Sequence, residues 1–390
     1  MPIINRIADF HADMTAWRRD LHQHPELALQ ETRTSQRVQE LLRSFGVDEV
    51  HAGIAKTGVV GVIRGQGNGD AIGLRADMDA LPILEETGKD YASRNPGVMH
   101  ACGHDGHTTM LLGAAKYLAE TRNFGGTVYV IFQPAEENLG GGEIMVKEGL
   151  FERFPMKQVY GMHNWPLAPE GTFQWRDGPV MAAVANIEIE VTGKGTHGAQ
   201  PHLGTDTILV AAAMVQAFQS IVARNVEPRL GGVVTIGAIQ GGHAHNVIPE
   251  TVRMLGTARW FEPEVGDILE RGVLRVAHSI AEGFGAKAKA SFARVYPATV
   301  NDPEAMTLAR RAAEAVAGEA RVQHMPQPTM GGEDFSFMLN AKQGAYIMIG
   351  AGKGPDDAMV HHPRYDFNDD ILPIGASYWA TLAEQLLPRR

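Results

Sequence analysis

A chain of 390 residues, 44% hydrophobic and 21% charged, has the make-up of an ordinary globular protein with room for two or three domains. Its formal net charge of -10 argues against a general binder of nucleic-acid backbone, which needs a basic surface, but leaves room for a small anion held by one or two local arginines. A single cysteine cannot form an intrachain disulfide and fits a reducing, cytoplasmic setting.

Residues 1–10 mix charged and apolar side chains and contain no apolar leader segment. No run of eighteen apolar residues follows, so no membrane association is expected. Ile7, Phe10, Met14 and Trp17, then Val38, Leu41 and Leu42, recur at helical spacing up to about Phe45. A β/α alternation comes next. Residues 59–63, 71–76, 127–132 and 158–162 read as strands, and 108–119 and 142–149 as helices. Such alternation predicts an α/β fold: a mostly parallel sheet with helices on both faces.

Near Met181 the pattern changes. Strand 187–191, helix 205–223, strands 233–239 and 252–260, helix 264–284 and strand 286–295 give the order β-α-β-β-α-β, a ferredoxin-like unit. After Pro297 the first pattern resumes with helix 303–317, strand 345–349 and helix 374–387. The expected organisation is one domain, 1–182 and 296–390, interrupted by an inserted domain over 183–295.

The chemistry-bearing residues cluster after strand ends, where open α/β sheets place their sites. Strand 71–76 runs into Asp77-Met78-Asp79, strand 127–132 into Gln133-Pro134-Ala135-Glu136-Glu137, and strand 158–162 into His163-Asn164-Trp165. Strand 345–349 leads through a glycine-rich loop to His361-His362-Pro363. The only cysteine falls in Met99-His100-Ala101-Cys102-Gly103-His104-Asp105-Gly106-His107. Thiolate and imidazole are ligands for zinc and its neighbours, and a following helix N-terminus is expected to favour the Cys102 thiolate. Adjacent residues of an extended segment point apart. One of Glu136 and Glu137 would then ligate a metal while the other takes a proton from water. Asp77 and Asp79 could ligate, orient a histidine, or cap the turn. Within the insertion, His197 could donate to an oxyanion, and Asn246 and Arg259 could hold a carboxylate.

These motifs resemble the M20 metallopeptidases, in the amidohydrolase branch of hippurate hydrolases, N-acyl-amino-acid amidohydrolases and plant auxin-conjugate hydrolases. The likeness also rests on Arg18-Arg19-Asp20-Leu21-His22-Gln23-His24-Pro25-Glu26, Leu74-Arg75-Ala76-Asp77-Met78-Asp79, Gly195-Thr196-His197, Asn246-Val247-Ile248-Pro249 and Gly331-Gly332-Glu333-Asp334-Phe335. The resemblance implies two divalent ions held by Cys102, His104, Glu137, His163 and one histidine of the His361-His362 pair, with His361 favoured by alignment. It implies Glu136 as general base, grouped with His197 and Asp79 as the catalytic set. Asn246 and Arg259 would meet the substrate carboxylate; 1–182 and 296–390 would be the metal-binding catalytic domain, and the insertion over 183–295 a lid that carries a homodimer or higher homo-oligomer contact. Zinc and manganese suit the ligands, and cobalt or nickel is also admitted. The expected reaction is hydrolysis of the amide of an N-acyl or N-aroyl amino acid. The alternatives are a dipeptidase, an N-acetyl-diaminopimelate deacetylase, or a non-catalytic metal- or carboxylate-binding protein.

Overall fold

A computed structural model describes residues 3–389. Met1, Pro2 and Arg390, within the expected 1–182 and 296–390 spans, lie outside the described residues. The chain divides into two compact units. One comprises the chain up to Val180, Thr299–Pro328 and the chain from Glu333 onward; the other comprises Met181–Ala298 with Thr329–Gly332.

The first unit is built on an eight-stranded sheet. Its strand order is Glu49–Ile54, Gly58–Arg64, Thr127–Gln133, Ala71–Asp77, Gln158–Pro169, Gly344–Gly352, Phe173–Trp175, Val322–His324. The four central strands, from Thr127–Gln133 to Gly344–Gly352, run parallel, while Glu49–Ile54 and Gly58–Arg64 pair antiparallel at one edge. Edge strand Glu49–Ile54 passes unnoticed in the sequence because it exposes Ala52 and Gly53 and lacks a long apolar run.

The central strands carry apolar residues on both faces, as a sheet covered on both sides requires. Val59, Ile63, Leu74, Val128 and Val130 belong to a core that also takes Met110, Leu111 and Ala114 from helix His104–Thr121. Helices His11–Gln23, Thr32–Ser44, Pro303–Ala317 and Leu372–Leu386 contribute to the same core. The last of these buries Trp379 and Tyr378.

The second unit has four antiparallel strands in the order Gly232–Gln240, Thr251–Trp260, Ala183–Thr192, Lys287–Tyr296. With helices Thr207–Asn225 and Pro263–Gly283 this is the ferredoxin-like arrangement read from the sequence. Ile187, Ile189 and Val191 point into its core, and Glu188 and Glu190 between them point to solvent. The expectation that no stretch could span a membrane meets one exception in length and composition: Thr207–Asn225 has 19 residues and a mean hydropathy of 1.5. Here its Val210, Met214, Phe218 and Ile221 are buried in the core of the unit.

Candidate metal centre

The carboxyl ends of the parallel strands and the start of one helix bring the ligand-type residues together. Asp77 and Gln133 are the last residues of their strands. The strand holding His163 continues to Pro169, contrary to the expectation that it ends at Met162. Its pairing with Ala71–Asp77 stops at Gly161, so His163 still lies beyond the carboxyl end of that neighbour. Helix His104–Thr121 starts at His104 itself.

Each histidine's tautomer follows from its hydrogen bonds. His104 Nδ1 donates to Asp79 Oδ1 at 3.2 Å, and its Nε2 is buried without a hydrogen-bond partner. His163 Nδ1 donates to the Asn164 carbonyl at 2.6 Å, leaving Nε2 to face Cys102 Sγ at 3.3 Å. His361 Nε2 lies 3.2 Å from Glu137 Oε1, an oxygen that makes no hydrogen bond. Donor atoms of Cys102, His104 and His163 converge, as do those of Cys102, Glu137 and His361, and those of His104, Glu136 and Glu137. Cys102 and Glu137 therefore join the sets, in the manner of a two-ion site. His362 Nδ1 instead accepts from the Arg364 backbone N–H at 3.1 Å, so of the pair it is His361 that meets the cluster.

The set fits divalent cations. Two buried donor atoms, His104 Nε2 and Glu137 Oε1, lack the hydrogen bonds that buried polar atoms ordinarily have. A thiol, imidazoles and a carboxylate are the ligands such ions take. The electrostatics agree. Burial and the carboxylates of Glu137, Glu136 and Asp77 push the Cys102 thiol well above its usual range. This overturns the expectation that the helix start favours the thiolate: Cys102 lies two residues before the helix, and the nearby negative charge outweighs its dipole. A bound cation would reverse that balance. Burial lowers the His104 pKa, but Asp77, Asp79 and Glu137 more than offset it, raising it to about 10. Burial and the His107 ring hold His163 neutral.

His107 also approaches Asp77 and His104 but has no nitrogen to spare. Its Nδ1 donates to Asp77 Oδ1 at 2.6 Å and its Nε2 accepts from the Asn164 backbone N–H at 2.9 Å. Asp79 touches the His104 ring and also accepts from Glu137 N–H at 3.0 Å, the orienting role among the three considered for it.

Glu136 is buried beside the donor set, and burial with the carboxylates of Glu333, Glu137, Asp334 and Asp79 raises its pKa well above the usual carboxylate range. The preceding residue, Ala135, has a φ of 56°, a left-handed conformation costly for a non-glycine residue. It is held there by Glu31, whose Oε1 accepts from Ala135 N–H at 2.9 Å.

Sequence reasoning gave no role to Arg75, Glu333 or Asp334. Arg75 is fully buried and donates to Gln133 Oε1 (2.8 Å), Asp77 Oδ2 (2.8 Å), Glu333 Oε1 (3.0 Å) and Asp334 Oδ1 (3.2 Å). An arginine inside a strand that otherwise reads as buried was the available signal, since a buried guanidinium requires carboxylate partners.

His197, Asn246 and Arg259 all lie in the second unit. His197 is exposed and pairs through its backbone with Val247, while Gly198 N–H donates to the Asn246 carbonyl at 2.7 Å. Those two residues are therefore brought together. Arg259 is half-buried, donating to Thr257 Oγ1 and, at 3.0 Å, to the Ala258 carbonyl. Among the described residues it forms no ion pair, and burial alone lowers its pKa.

Residues 73–385 match the model of peptidase family M20/M25/M40. The chain is 41% identical over 388 residues to a hippurate hydrolase of Campylobacter jejuni, covering 99% of this chain and 100% of the relative. It is 37% identical over 375 residues to an N-acetylcysteine deacetylase of Bacillus subtilis, covering 96% and 97%. Among solved structures, a dinuclear metal binding peptidase of the M20 family from Bacillus subtilis superposes with a TM-score of 0.83 at 34% identity, covering 97% of this chain and 99% of that one. The chain belongs to peptidase family M20/M25/M40, as an enzyme of its amidohydrolase branch.

Proposed function

We propose that this enzyme hydrolyses the amide bond of N-acyl or N-aroyl amino acids, hippurate among them, to a carboxylic acid and a free amino acid. The observation that carries the reading is the convergence of the donor set, in which the buried atoms His104 Nε2 and Glu137 Oε1 have no hydrogen-bond partner beside the raised carboxyl of Glu136. The hippurate hydrolase and N-acetylcysteine deacetylase relatives support the substrate class.

Cys102, His104, Glu137, His163 and His361 would hold two divalent ions, zinc or manganese first and cobalt or nickel next. Such ions, when bound, polarise the amide carbonyl and acidify a water. Glu136, returned to its carboxylate form by the charge of bound ions, would take a proton from the water as the water oxygen bonds to the amide carbon, and would give it to the nitrogen as the C–N bond breaks. Its burial excludes bulk solvent, and the Glu31 contact to Ala135 keeps it in place. Asp79 fixes the His104 ring through Nδ1, which leaves Nε2 to give up its proton to a bound ion. Arg259, which lacks a carboxylate partner among the described residues, takes the substrate's α-carboxylate with Asn246, and His197 donates to the developing oxyanion.

In this reading the residues over 1–182 and 296–390 form the catalytic domain and 183–295 the lid. The lid also joins copies into a homodimer or higher homo-oligomer, a role supported by exposed Ile208, Leu209, Ile239 and Val247. The single cysteine, used as a ligand, suits a cytoplasmic setting.

The test is a turnover screen of the metal-reconstituted chain on hippurate, N-acetyl amino acids, indole-acyl amino acids and unblocked dipeptides. Release of free amino acid from the blocked substrates, and little from dipeptides, is expected. Cleavage of dipeptides alone, or of nothing, contradicts the proposal.

A further inference from the structure

Asn164 is fully buried, and both its amide and its backbone are hydrogen-bonded. Its side-chain Nδ2 donates to the Cys102 carbonyl at 2.7 Å. Its Oδ1 accepts from Tyr365 Oη at 2.8 Å. Its backbone N–H donates to His107 Nε2 at 2.9 Å, and its carbonyl accepts from His163 Nδ1 at 2.6 Å. One residue thus touches the backbone of the thiol ligand, the ring of an imidazole ligand, and Tyr365, which follows His361 by four positions.

The intervening glycine is shaped to this contact. Gly103 has a φ of 90°, and a Cβ there would collide with Asn164 Nδ2 and with Tyr365 Oη. Neither aspartate nor leucine could reproduce the pattern at 164, because one end of the side chain must donate and the other accept. Hydrogen bonds of this kind decide where a ligand atom sits, and their loss ordinarily lowers metal affinity about 10- to 100-fold.

We propose that Asn164 is a positioning residue that holds the Cys102 thiol and the His163 imidazole at the separation a shared cation requires, with Tyr365 as its brace. The inference rests on the metal-centre reading above and adds to it the residue that sets the distance between two ligands. The His163 bond runs through the main chain, so a side-chain substitution leaves it in place. What the amide supplies is the link to Cys102, a second contact of Nδ2 with His107 Nε2 at 3.0 Å, and the brace to Tyr365. Removing either end should let the Cys102 segment relax away from His163.

The experiment titrates cobalt(II) into the metal-free full-length chain and follows the thiolate-to-cobalt charge-transfer absorption together with the dissociation constant. Asn164→Ala should weaken or shift that band and raise the dissociation constant at least about tenfold. Tyr365→Phe, which removes only the hydroxyl, should shift both in the same direction by less. If Asn164→Ala fails to fold, Tyr365→Phe decides. Folded variants whose band and affinity match those of a wild-type chain with a strong thiolate band overturn this inference alone. A wild-type chain that takes up cobalt with no thiolate band overturns the metal-centre reading and this inference with it.

Discussion

Asp79 Oδ1 lies 3.2 Å from His104 Nδ1, so that nitrogen is held away from the donor cluster and Nε2 is turned into it, where a bound cation would take the place of its proton. The other carboxylate oxygen accepts from Glu137 N–H, which ties a second candidate ligand to the same side chain. Asp79→Ala should therefore lower metal affinity about 10- to 100-fold. Asp79→Asn, which keeps an acceptor, should lower it less. Calorimetric titration of the metal-free protein measures both, and equal affinity in all three proteins would contradict the orienting role.

Glu136 sits against the donor set but has Glu137 as a separate neighbour for ligation. Glu136→Gln is expected to keep the wild-type metal content while lowering kcat about 100-fold or more. Elemental analysis and steady-state kinetics on the same preparation check it. A variant that loses metal in proportion to activity would make Glu136 a ligand.

How much of this was legible beforehand divides along physical lines. The central strands could be read because burial on both faces writes an unbroken apolar run, and the second unit because Ile187, Ile189 and Val191 alternate with exposed Glu188 and Glu190. Edge strand Glu49–Ile54 has neither signature. The ligand residues stood out as His, Cys and Glu after strand ends. Arg75, Glu333 and Asp334 did not, because their meaning lies in pairing across 258 and 259 positions of sequence. The state of the Cys102 thiol was misread because local helix geometry was weighed without the carboxylates that folding packs around it.

His22 Nδ1 pairs with Asp105 Oδ2 at 2.8 Å inside the first unit. Burial lowers the His22 pKa, but the hydrogen bonds its ring donates to Asp105 and Glu85 outweigh it and raise it to about 9. A raised pKa stabilises the fold fully below the unfolded value of about 6.5, and that contribution is lost as pH rises through about 9. The stability difference between wild type and His22→Gln in urea should be largest near pH 6 and shrink by up to about 3 kcal/mol toward pH 10. A difference constant over that range contradicts the charged pair.

Glu31 is buried and accepts from Ala135 N–H at 2.9 Å and from Thr57 Oγ1 at 2.7 Å. Glu31→Ala leaves two buried donors unpaired and should cost about 2–4 kcal/mol of stability. Chemical denaturation measures it. A cost below about 1 kcal/mol would show that Ala135 keeps its left-handed backbone without that contact.

Arg259→Lys keeps the charge but loses the planar fork, and should raise KM for an N-acyl amino acid at least about tenfold with a smaller change in kcat. The same substitution should leave KM for the corresponding amide, which lacks the free carboxylate, nearly unchanged. An equal rise for both substrates contradicts carboxylate recognition by Arg259.

The central claim is that residues from distant parts of the chain surround a pair of cations. Anomalous diffraction from crystals of the manganese- or zinc-loaded protein tests it directly. Two peaks per chain are predicted, flanked by Cys102, His104, Glu137, His163 and His361. A single ion, or ions seated only among Glu136, Glu333 and Asp334, would contradict it.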